Sequence, residues 1–74
     1  MIQKINDNLY IGNLRGYQDC DLNIQFLSLT HKAIPRGAFK RIEMIDSSSE
    51  SHFYDQQFVD AIEFMLKAPT LVFC

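Results

Sequence analysis

Seventy-four residues, 47% of them hydrophobic, bound this chain at one small domain, because a chain of that length buries only roughly 60% of its unfolded surface. A net charge of −2, with the basic residues scattered apart from a small cluster at Arg36, Lys40 and Arg41, offers no basic face for a nucleic acid. Met1 to Asp7 lacks the apolar core of a signal peptide, no run approaches membrane-spanning length, and the two cysteines allow one bridge at most, Cys20 to Cys74. The setting expected is therefore reduced and cytoplasmic, without a membrane partner.

In chain order, Asn8-Leu9-Tyr10-Ile11-Gly12 reads as a short strand preceded by the turn residues Asp7 and Asn8. A short helix is predicted over 14–22, with Leu14, Tyr17 and Leu22 inward and Asp19 and Asp21 outward. Gly16 weakens this helix, and Cys20 fits it as a small apolar residue. Ile24 to Leu29 gives a second strand, followed by a loop around Pro35 and Gly37. A third strand runs from Phe39 to Ile45 and ends at Asp46, where the polar run Ser47 to Ser51 takes over.

The clearest helix covers Phe53 to Lys67. Phe58, Ile62, Met65 and Leu66 recur at i, i+4, i+7 and i+8, the apolar stripe of an amphipathic helix, and Pro69 stands beyond its stop. Thr70-Leu71-Val72-Phe73 then forms a continuous apolar run into Cys74. Such a run suits a strand buried on both faces of a parallel sheet. Strands alternating with helices predict an α/β fold with a mainly parallel central sheet flanked by helices.

Asp46 and Cys74 each stand at the carboxyl end of a predicted strand, the edge where open α/β sheets place ligand chemistry. The strand-helix-strand unit joining them sets the two strands side by side or nearly so. A thiolate and a carboxylic acid facing one crevice can act together, the first attacking and the second protonating the leaving group. The plainer alternatives are an inert core thiol and an aspartate that merely forms a turn. His31 and His52 lack the spacing to the cysteines that a structural zinc site uses, so no metal is expected.

Taken in order, these segments resemble the dual-specificity branch of the protein tyrosine phosphatases. Ile5-Asn6-Asp7-Asn8-Leu9-Tyr10-Ile11-Gly12 is similar to that family's opening strand, and Ile24-Gln25-Phe26-Leu27-Ser28-Leu29-Thr30 to its second conserved strand. Arg41-Ile42-Glu43-Met44-Ile45-Asp46 resembles the strand leading to the general-acid loop. Thr70-Leu71-Val72-Phe73-Cys74, with the helix before it, resembles the run into the signature loop.

The resemblance covers essentially the whole chain. It implies a phosphotyrosine protein phosphatase-like fold, present as the N-terminal portion of a single domain. Cys74 would be the nucleophile that forms a phosphocysteine, and Asp46 the acid that protonates the departing phenol or alcohol. Phosphorylated protein would be the substrate and the remainder of the domain the partner, with no cofactor. Two departures stand out. Phe73 replaces the histidine that precedes the family's cysteine, and the glycine-rich loop and arginine that follow that cysteine are not in this sequence. A rhodanese-like sulfur transferase also places a cysteine after a buried strand, and a phosphatase-like module that binds without turnover is the non-enzymatic alternative.

Overall fold

The last strand in the sequence is the central strand of the sheet. The computed structural model describes residues 1–42 and 51–74, with backbone alone at 51–55. Its elements in order are β1 (Ile2–Asn6), β2 (Leu9–Gly12), α1 (Leu14–Asp19), β3 (Gln25–Ser28), β4 (Phe39–Arg41), α2 (Ser51–Lys67) and β5 (Thr70–Phe73). The strands form one sheet in the order β1-β2-β5-β3-β4. Leu71 and Phe73 of β5 are almost wholly buried, as the unbroken apolar run requires of a strand covered on both faces.

The sheet is mixed. β5 pairs in parallel with β2 and β3, and β3 with β4, whereas β1 returns antiparallel against β2. That edge hairpin was not expected from the sequence, because Gln3, Lys4 and Asn6 interrupt any apolar pattern in β1. Backbone pairing to β2 holds it instead. The Asp7-Asn8 turn is tightened by the Asn8 amide, which donates to the Asn6 side chain at 2.8 Å. The strands expected at 8–12 and 24–29 each begin one residue later than the pattern placed them, and the second also ends one residue early. The strand expected over 39–45 is seen to Arg41. Ile42 extends its hydrogen bonding, since its amide donates to the Ser28 carbonyl at 2.9 Å.

Alternation along the strands divides the interior in two. Phe26, Leu71 and Phe73 point to one face, where they pack with Tyr17 and Cys20. Leu27 and Val72 point to the other, against Ala61, Phe64 and Met65 of α2. The two helices therefore lie on opposite faces, as crossovers running in opposite directions across one sheet dictate.

α1 is shorter than the 14–22 expected. Asn13 caps its start, accepting from the Gly16 amide at 2.8 Å. Its end is closed by a backbone bond and reinforced from outside the helix. The Cys20 amide donates to the Tyr17 carbonyl at 3.2 Å, and one Arg36 guanidinium nitrogen adds bonds to the carbonyls of Tyr17 at 2.6 Å and Cys20 at 3.0 Å. Leu22, expected inside, is consequently exposed. Gly16 is buried and is a packing requirement: a Cβ there would come within 2.5 Å of the Met1 carbonyl oxygen.

The stripe predicted on α2 also needs correction. Phe58, Ile62 and Leu66 are exposed, Leu66 to 81%, and only Met65 of that set is packed. The face against the sheet is Ala61, Phe64 and Met65, with Ala61 2% exposed. The apolar arc of this helix is wider than one sheet contact covers. The small Ala61 side chain lets the helix approach the sheet closely along one margin of that arc. At its end, the side-chain Nε2 of Gln25 donates to the Phe64 carbonyl at 2.8 Å and to the Thr70 hydroxyl at 3.2 Å, tying the last turn to the sheet.

Candidate active site

Gly12, Phe73, Ser28 and Arg41 stand in one row across the parallel strands. The next residues along each strand mark the carboxyl edge, and Cys74 is among them. Cys74 is exposed and unbridged. Its position is fixed through backbone bonds to both neighbours. The Leu14 amide, at the start of α1, donates to the Cys74 carbonyl at 3.0 Å, and the Leu29 amide donates to the Phe73 carbonyl at 2.8 Å. The Cys74 backbone thus stands beyond the central strand, between the start of α1 and the turn that follows β3.

The groups around that edge differ in availability. The Ser28 hydroxyl is buried and already engaged, donating to the Thr30 carbonyl at 2.6 Å and accepting from the Thr30 amide at 3.1 Å. It is a turn-forming side chain. His31, in the turn after β3, is exposed. Cys20 is the other free cysteine, buried in the core beside α1, as the sequence led us to expect. The bridge that composition permits between Cys20 and Cys74 does not form.

Asp46, the residue expected to supply the proton, falls in 43–50 and so lies outside the described residues. The strand that leads toward it is β4, which is separated from β5 by β3 alone. His52 belongs to α2, within the part described by backbone only. Among the described residues, no group of three or more histidine, cysteine or acidic side chains is placed to hold a metal ion. Nor is any helix among them long and apolar enough to cross a membrane.

Phe73, the residue before Cys74, faces the core. Its ring stacks on Tyr17 and meets Phe39 at an angle, and the residue is 1% exposed. Lys4 lies on the β1–β2 hairpin beside Asp7. Its hydrogen bond to Asp7, reinforced by that carboxylate's charge, favours the ammonium form and raises its pKa.

Arg36 is the residue whose importance the sequence concealed. A small basic cluster on a loop reads as solvated surface. Here the Arg36 guanidinium lies 4.6 Å from the centre of the Phe26 ring and 4.8 Å from that of Tyr17, besides reinforcing the end of α1.

Set against known proteins, the chain matches no family model, no curated protein and no solved structure.

Proposed function

We propose that this chain is the nucleophile-bearing, N-terminal portion of a cysteine-dependent phosphatase of the dual-specificity type, acting on phosphate monoesters of protein tyrosine, serine or threonine. The observation that supports this reading is the position of Cys74, an exposed thiol directly beyond the central strand of the sheet. In the reaction, the Cys74 thiolate attacks phosphorus and the bond from phosphorus to the leaving oxygen breaks. Asp46 gives its proton to that oxygen. Water then attacks phosphorus of the phosphocysteine and gives a proton to the Asp46 carboxylate, while the breaking P–S bond releases inorganic phosphate and restores the thiolate.

The charge on the equatorial phosphoryl oxygens calls for a cradle of amides and an arginine, which this reading assigns to the remainder of the domain. The experiment is made on the domain extended beyond Cys74. Cys74→Ser is expected to abolish turnover of an aryl phosphate. Asp46→Asn is expected to lower turnover by roughly 10²–10⁴-fold, with a smaller loss for leaving groups that need no protonation. Turnover that survives Cys74→Ser would overturn the reading. A loss at Asp46→Asn that is uniform across leaving groups would remove Asp46 from the mechanism. The 74-residue chain by itself is expected to turn over no aryl phosphate.

A further inference from the structure

We draw no further inference here: the strongest candidate, the exposed apolar flank of α2 formed by Phe58, Val59, Ile62 and Leu66, carries nothing because nothing in the structure shows what covers it.

Discussion

The rings of Tyr17 and Phe73 lie stacked, with centroids 4.3 Å apart and planes 5° from parallel. The contact joins the one buried aromatic of α1 to the last residue of the central strand. Tyr17 also meets Phe26 edge-on at 4.9 Å, and its hydroxyl donates to the Ile34 carbonyl. The residue before Cys74 is thus held from the α1 side by packing and by a backbone bond from Leu29, just past β3. Phe73 acts here as a core side chain.

Substitution of Phe73 should therefore act first on stability. Phe73→Ala is expected to cost about 3–5 kcal/mol, a large part of the total for a domain worth about 0.05–0.15 kcal/mol per residue. Phe73→His should also destabilise, because it places a polar ring against Tyr17 and Phe39. Urea denaturation of the three proteins checks this. An unchanged midpoint for Phe73→His would show that the position tolerates an imidazole.

The two cysteines should separate cleanly by reactivity. Cys74 is exposed, whereas Cys20 is 9% exposed and packed in the core. Brief treatment of the native protein with iodoacetamide should add one alkyl group, at Cys74, with the second appearing only in denaturant. Peptide mass spectrometry locates the label. Equal labelling of both thiols in native buffer would contradict the placement of Cys20.

Gly16→Ala tests the approach of α1 to the N-terminal strand. Helix propensity alone favours alanine by about 1 kcal/mol. The new Cβ would, however, meet the Met1 carbonyl oxygen at 2.5 Å and the Ile2 side chain at 3.0 Å, so backbone must move. The expected result is a net loss of about 1–3 kcal/mol, the usual scale for overpacking. A raised denaturation midpoint would mean that the β1 end yields without cost.

Which face of α2 meets the sheet can be read from a pair of variants. Ala61→Leu adds bulk at a contact that is 2% exposed and should cost about 1–3 kcal/mol. Leu66→Gln, at a residue 81% exposed, should change stability by no more than about 0.5 kcal/mol. The opposite ranking in thermal or urea unfolding would restore the Phe58–Ile62–Leu66 stripe as the packed face.

The sequence by itself determined the elements whose signal is local. The apolar run of β5, bounded by Pro69, placed Cys74 at a strand end. The 3.6-residue period with Pro69 beyond it located α2, and the turn at Asp7-Asn8 marked the start of β2. Burial of Cys20 was legible too, because an uncharged small thiol in a helical segment has little else to do. Asp46 was legible only as the end of a pattern, and the described residues do not reach it. What tertiary structure alone decided were choices among partners. β1 is a strand because β2 offers it a backbone edge, which no periodicity in Gln3, Lys4 and Asn6 could announce. Of the wide apolar arc on α2, the sheet took the side of Ala61, Phe64 and Met65, where the small alanine side chain lets the helix come close. Arg36 binds the carbonyl of Cys20, just past α1, from 16 residues away along the chain, and Phe73 faces Tyr17 because strand parity at the centre of the sheet turns it toward α1. A linear pattern ranks residues by how much they favour burial, but burial is settled by which surfaces meet.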